Sequence, residues 1–450
     1  MKEKQIGIFE SDSTDDIFII GDIHGDYQCL VHCLVDLAEC CHIGKMDGDH
    51  EILEWNENNK TILIFTGDLI HRKRFNSVLD DECSDIYIIE TLLRLKKNGA
   101  IIIITAGNHE IMNIMDPEID TYTSPLNKEK NKKYFTDKKF INDFISNTYA
   151  WVKVNDILIS HGGLCSDYLT YIEERDANLR DDNIIIHVNE KYRSYFKNYD
   201  YKKKMNDSEA FNLFVIHDPD PKSHKHNMFW CREWGYHNIN CELLEKILKK
   251  INSKKMIIAH CPQFLCPEKP QMINFECKDE AGGYKLAKID LGMSRGFDYN
   301  ENDSKFNLYL EHNFNRKISI LKLKNIKNKL SFDHDCIVSK KLSCIQYLLL
   351  KHGHTKQHWD KKNIISNWLG FDIIDELTKT NIFDKCRSDV YDNKNTESMI
   401  ACLLYPVLCK GIELYSLKKY KKTIISKSSQ TSNGEFIKIE TTSVSKIVKI

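Results

Sequence analysis

Excess charge of either sign is missing from this 450-residue chain: 64 Lys and Arg stand against 65 Asp and Glu, for a formal net charge of −1 at pH 7. A nucleic-acid binder shows a basic surplus, so that class of partner has no support here. Long apolar runs are missing too. The greasiest segment, MIACLLYPVLC, is too short to span a bilayer and carries a proline. The opening stretch MKEKQIGIFESDSTDD lacks the apolar core of a signal peptide. The expectation is a cytoplasmic or nuclear protein with no membrane contact. Of the 16 cysteines none forms a CxxC pair, the usual spacing of a structural zinc site. Disulfide scaffolds belong to short secreted chains, so CLVHCLVDLAECCH reads as an amphipathic helix whose free thiols pack as small hydrophobes. Alanine is scarce beside Ile, Lys and Asn, a bias that AT-rich coding sequence produces. No internal repeat is visible.

What the chain does have is one pattern, used five times. IFII runs into GDIHG, ILIF into TGDLIHR, IIII into TAGNHE, ILIS into HGGL, and MIIAH into CPQ. Short β-branched runs bounded by turn residues predict buried strands. Helical stretches lie between them, YQCLVHCLVDLAECC and SDIYIIETLLRLKKNG, the second stopping at Gly99. Alternation of this kind predicts an α/β layered domain with its ligands at the carboxyl ends of the strands. Residues 116–148 and 166–226 interrupt the pattern and read as insertions at the rim, the second of them helical. RKISILKLK is a late strand. From about Ser331 the chain reads as mostly helical (CIQYLLLKHGH, NIISNWLGFDIIDEL, ESMIACLLYPVLCKGIELY), followed by the linker SSQTSNGE and a β-like tail. The expected domains are therefore 1–330 and 331–450.

The strand ends carry Asp22, His24, Asp68, Asn108, His109, His161 and His260. Carboxylate, amide and imidazole together suit manganese, iron or zinc better than calcium, which prefers oxygen shells. More groups converge than one ion needs, which implies two divalent ions sharing a carboxylate. Such pairs activate water and clamp phosphoryl oxygens during in-line attack. Arg72, in GDLIHR, then has a purpose, since a guanidinium forks onto phosphate oxygens.

These stretches, in this order, resemble the calcineurin-like metallophosphoesterases. GDIHG, GDLIHR, GNHE, HGG and the later AH are similar to the phosphoprotein phosphatase branch, and GDIHGD, FWCREW and IDLGMS resemble the Shewanella-like phosphatases within it. The resemblance covers roughly residues 15–325. It implies a layered β-sandwich core flanked by helices. It implies that Asp22 and His24 bind one metal, that Asp68 bridges, and that Asn108, His161 and His260 complete the second site. His109 would be the general acid, Arg72 the phosphate-binding arginine, and Arg232 in FWCREW a second phosphate contact. The alternative for Arg232 is an arginine stacked beside Trp230 and Trp234. The histidines of HDPDPKSHKHN read as a solvated loop, and Cys261 and Cys266 as buried thiols.

One position departs. The fifth residue of the family's GDxxDR is an aspartate that pairs with the catalytic histidine, and here it is His71. The resemblance implies a phosphomonoesterase acting on phosphoserine, phosphothreonine or phosphotyrosine in a protein or peptide. Hydrolysis of a nucleotide or dinucleotide polyphosphate, and a metal-binding pseudophosphatase scaffold, are the alternatives. Residues 331–450 hold no chemical motif; their helices either pack on the catalytic domain or form a surface for a protein partner.

Overall fold

The computed structural model describes residues 1–12, 15–47, 50–72, 84–119, 125–197, 199–202, 228–235, 239–263, 272–279, 282–294, 317–326, 329–341, 440–441 and 444–445. The chain divides into two units, Met1–Lys341 and Leu342–Ile450.

Two seven-stranded sheets build the first unit. One contains Lys2–Gln5 (β1), Ile8–Glu10 (β2), Trp151–Val154 (β9), Ile157–Ser160 (β10), Lys255–Ile258 (β11), Asn274–Lys278 (β12) and Tyr284–Lys288 (β13). Its order is β1-β2-β9-β10-β11-β13-β12. The other contains Ile17–Ile20 (β3), Ile62–Phe65 (β6), Ile101–Thr105 (β7), Thr148–Tyr149 (β8), Lys317–Ile326 (β14), Lys329–Ser331 (β15) and Ile337–Lys341 (β16). There β3, β6, β7 and β8 run parallel, and β14 joins β3 antiparallel. A hairpin of Cys41–Asp47 (β4) and His50–Trp55 (β5) stands apart from both. This is the layered α/β architecture that the alternating pattern predicts.

The strands form where β-branched residues cluster, because the pleat accommodates a branched Cβ that a helix crowds. IFII and ILIF are buried along their whole length. Parallel strands covered on both faces read as unbroken apolar runs for this reason. Burying one such isoleucine contributes roughly 1.5–3 kcal/mol. A charged residue at Ile64, fully buried in β6, would have no counter-charge to repay its desolvation.

Helices follow the strands and re-aim the chain. Asp26, the last letter of GDIHGD, caps Tyr27–Val31 (α1) by accepting the Cys29 N–H at 3.1 Å. Ser84–Lys97 (α2) ends as expected at Gly99, with Gly99 N–H donating to the Lys96 carbonyl and Ala100 N–H to Leu95. Further along come Asn108–Met115 (α3), Pro125–Thr136 (α4), Lys138–Asn147 (α5), Ser166–Arg175 (α6), Asp182–Lys197 (α7) and Cys241–Lys250 (α8). The first cysteine run differs from expectation. It does not continue as one α-helix, because His32–Leu37 widens into a π-turn and Cys41 already begins β4. Its thiols Cys29, Cys33, Cys40 and Cys41 are buried and free, as expected.

Four other cysteines, which the sequence reading does not single out, are paired: Cys165 with Cys231, and Cys241 with Cys277. They are 66 and 36 residues apart in sequence, a distance across which spacing carries no signal. β15 and β16 both pair with β14, so strand structure runs past residue 330. In the second unit, Glu440–Thr441 (β17) pairs with Val444–Ser445 (β18). The helices expected over 344–415, the linker SSQTSNGE, Cys266 and the loop HDPDPKSHKHN lie outside the described residues. Among the described residues no helix is long and apolar enough to cross a membrane.

Candidate metal centre

Both sheets bring strand ends to one place. His161, just past β10, sets Nδ1 2.9 Å from the carbonyl of Thr66, just past β6 in the other sheet. Around that crossing stand Asp22, His24, Asp68, Asn108, His109, His161 and His260, all at most 5 % exposed. Every ligand residue expected from the sequence is therefore in one cluster.

Asp68 is its centre. Its Oδ2 lies 3.3 Å from His161 Nε2, 3.7 Å from His24 Nε2 and 3.8 Å from His109 Nε2. His161 Nε2 is 2.8 Å from Asn108 Oδ1, and His260 Nδ1 is 3.1 Å from both. Asp22 flanks the group, with Oδ2 3.8 Å from His24 Nε2 and Oδ1 3.8 Å from His161 Nδ1. Within this cluster two sets have ligand atoms within 4.8 Å of one another, His24 with Asp68 and His109, and Asp68 with His161 and His260. They share Asp68.

The donor chemistry fits divalent metals. His24 and His161 turn Nδ1 toward the carbonyls of Ile70 and Thr66. An Nδ1–H donated there aims Nε2 at Asp68, so that the neutral ring would present its lone pair to a cation, the arrangement that orients metal-binding imidazoles. In the metal-free protein the charged rings pair with Asp68 instead. Asp22 is 1 % exposed, yet among the described residues neither of its oxygens receives a hydrogen bond. Burial, then the like charges of Asp290 and Asp68, push its carboxyl well above the usual range. Asp68 goes the other way: burial opposes ionisation, but His161, His109 and His24 hold it well below that range.

The loops that hold these side chains are strained. His24, Asp68, His71 and His260 all have φ between 43° and 69°. Each such non-glycine residue costs about 1–3 kcal/mol, and such strain persists where the surroundings impose it. Part of the imposition comes from Glu110. Its carboxylate accepts N–H groups from Asp68 (2.9 Å), Leu69 (2.6 Å), Ile70 (3.3 Å) and Gly107 (2.8 Å). Burial, then Asp68, pushes Glu110 up to about 7. The glycines of GDLIHR and GNHE are steric necessities. A Cβ on Gly67 would strike the backbone of Gly107, and one on Gly107 would strike the carboxylate of Asp68. Glu110 escaped the sequence reading because it points at backbone, although it is the last letter of GNHE.

His71 does touch His109, with Nδ1 to Nδ1 at 2.8 Å and the rings edge to face. On its other side His71 Nε2 meets the side-chain amide of Asn113, one turn along α3. Nothing in the motifs singled out Asn113. Arg72 is 2 % exposed. A Cβ on Gly25 would meet both Arg72 Cβ and Asp85 Oδ1, so Asp85, in the first turn of α2, lies beside Arg72.

Arg232 is exposed, with Nη1 donating to Cys261 Sγ at 3.6 Å, next to His260. Its neighbours fasten the FWCREW segment to the loop after His161. Cys231 is bonded to Cys165, Glu233 accepts the N–H and hydroxyl of Ser166, and Trp234 Nε1 donates to the Leu164 carbonyl. Trp230 meets the His260 ring edge to face at 6.0 Å.

Solved structures to which the chain is similar include the cold-active protein-tyrosine phosphatase of a psychrophilic Shewanella species. It is 16% identical over 72% of this chain and 78% of that chain, with a TM-score of 0.46. A protein serine/threonine phosphatase from Saccharomyces cerevisiae is also 16% identical, over 75% of this chain and 83% of that one, with a TM-score of 0.37. No curated protein matches by sequence. The sequence model of calcineurin-like phosphoesterases matches residues 16–260, more than half of the chain and the span that carries the strand ends described above. The chain belongs to the calcineurin-like phosphoesterase family.

Proposed function

We propose that this protein is a two-metal phosphomonoesterase whose substrates are phosphorylated proteins or peptides. The observation that carries the reading is the sharing of Asp68 between two groups of imidazole and carboxylate donors. Asp22, His24 and Asp68 would hold one ion, and Asp68, Asn108, His161 and His260 the other. Manganese, iron and zinc all suit this donor mixture. When bound, the ions would supply Lewis-acid activation of water and of the phosphoryl group.

The remaining roles fall to side chains. Arg72 offers its guanidinium to the phosphoryl oxygens, and Asp85 stands near its Cβ. Arg232, exposed next to His260, provides a second cation at the mouth. His109 turns Nε2 toward Asp68 and Nδ1 toward His71, so its Nε2–H is the proton available to a departing alkoxide. Phosphoserine and phosphothreonine leave as poor alkoxides and need that proton most; phosphotyrosine needs it less.

Assays with manganese on a phosphopeptide panel and on diadenosine polyphosphates test the proposal. Peptide dephosphorylation that is lost in Asp68→Asn supports it. Hydrolysis of the polyphosphates alone would move the assignment to nucleotides, and metal binding without turnover would make the protein a scaffold.

A further inference from the structure

IDLGMS, residues 289–294, has no part in the donor set above, yet it lies against GDIHG. A Cβ on Gly21 would run into the Ile289 carbonyl and the Asp290 Cα. Ser294 Oγ donates to the His24 carbonyl at 2.9 Å. Gln263 N–H donates to the Asp290 carbonyl at 2.7 Å, and Gly292 N–H to Asp290 Oδ1 at 2.9 Å. The Asp290 side chain is thereby fixed at 1 % exposure on the residue next to Ile289, against the GDIHG turn that carries Asp22; burial, and then the like charge of Asp290, raise the Asp22 carboxyl. Among the described residues, neither oxygen of Asp22 nor Oδ2 of Asp290 receives a hydrogen bond. Two buried carboxylates, with three oxygens and no donor among them, are costly unless a cation lies against them.

We propose that Asp290 is a further carboxylate of the metal position formed by Asp22, His24 and Asp68, offering Oδ2 to a divalent cation. The proposal rests on the two-metal reading. It makes the two positions chemically unequal. The first has three carboxylates and one imidazole; the second has one carboxylate, one amide and two imidazoles. Oxygen-rich positions favour manganese or magnesium and imidazole-rich ones favour zinc or iron, so a mixed pair of ions would sort between them.

Asp290→Asn is the clean probe, because Asn keeps the Oδ1 that Gly292 uses and replaces only the undonated, charged Oδ2. Manganese titration calorimetry on the metal-stripped full chain is expected to show two binding events in the wild type. In the variant one event weakens by about 10–100-fold and the other is unchanged. The melting temperature of the metal-free variant should equal or exceed that of the wild type, since a like-charge contact is gone. Asp290→Glu should recover most of the lost affinity. Unchanged affinity at both positions overturns the proposal. So does equal weakening at both with a lowered metal-free melting temperature, or failure of Asp290→Glu to recover binding, either of which would mark Asp290 as a backbone anchor. A wild type that binds a single ion would overturn the two-metal reading alone; weakening of that one event by Asp290→Asn would still support the role of Asp290.

Discussion

The Nδ1 atoms of His71 and His109 are 2.8 Å apart in a fully buried contact. Only one proton fits between them, whereas an aspartate in place of His71 would accept the His109 proton and attract the charged ring. A histidine can accept only while neutral and repels once both rings are protonated. His71→Asp should therefore raise turnover near neutral pH on phosphoserine peptides, by part of the roughly 10²–10⁴-fold that a well-poised general acid contributes. It should change little on activated aryl phosphates, whose leaving groups need no proton. His109→Asn should show the mirror pattern. Loss of activity on every substrate in His71→Asp would mean that His71 itself does chemistry.

Asp68→Asn should abolish turnover and reduce the affinity for both ions, because one carboxylate serves two positions. The substitution is sterically quiet, since the Oδ1 that accepts the His109 N–H is retained. Metal content by mass spectrometry decides the matter: two ions retained at wild-type affinity would sink the shared-carboxylate arrangement.

Arg72→Ala should cost on the order of 2–4 kcal/mol in kcat/KM, the range for losing a charged donor to a transition-state oxygen. Asp85→Asn should show a smaller loss in the same direction, felt more in KM than in the unfolding temperature. If kcat/KM is unchanged in Arg72→Ala, the guanidinium serves Asp85 and the fold rather than phosphate.

The metal-free protein should lose stability as pH rises. Burial lifts the Asp290 carboxyl from 3.8 to about 6. The folded state therefore binds more protons than the unfolded chain between those values, and the stability present below about 4 is lost as pH passes through 6. Glu110, lifted to about 7, extends the decline upward. Denaturant melts at pH 5 and pH 7.5 should differ by a few kcal/mol without metal, because each tenfold gain in proton affinity on folding is worth about 1.4 kcal/mol. The difference should shrink with manganese. A metal-free protein that is more stable at pH 7.5 would contradict this ordering.

The strands that place the centre were legible because each is a β-branched run ending in a metal-capable residue. Asp290 follows a strand too, but Tyr284–Lys288 contains Lys285 and Lys288 and so lacks the apolar signature. Glu110 and Asn113 were invisible for another reason. Their partners, loop N–H groups and the far side of His71, exist only once β6 and β7 lie side by side. The pairings Cys165–Cys231 and Cys241–Cys277 likewise depend on which loops the two sheets bring together. Motif chemistry is local in sequence; the shell that holds it is not.

Glu110 grips the GDLIHR loop through the N–H groups of residues 68, 69 and 70, and none of those bonds involves a side chain of the loop. The path of residues 68–70 is thus held without the side chain at position 71. A lineage could exchange the residue there without displacing Asp68, and so retune proton delivery while leaving the metal cradle untouched. That separation of duties makes position 71 a dial for leaving-group preference.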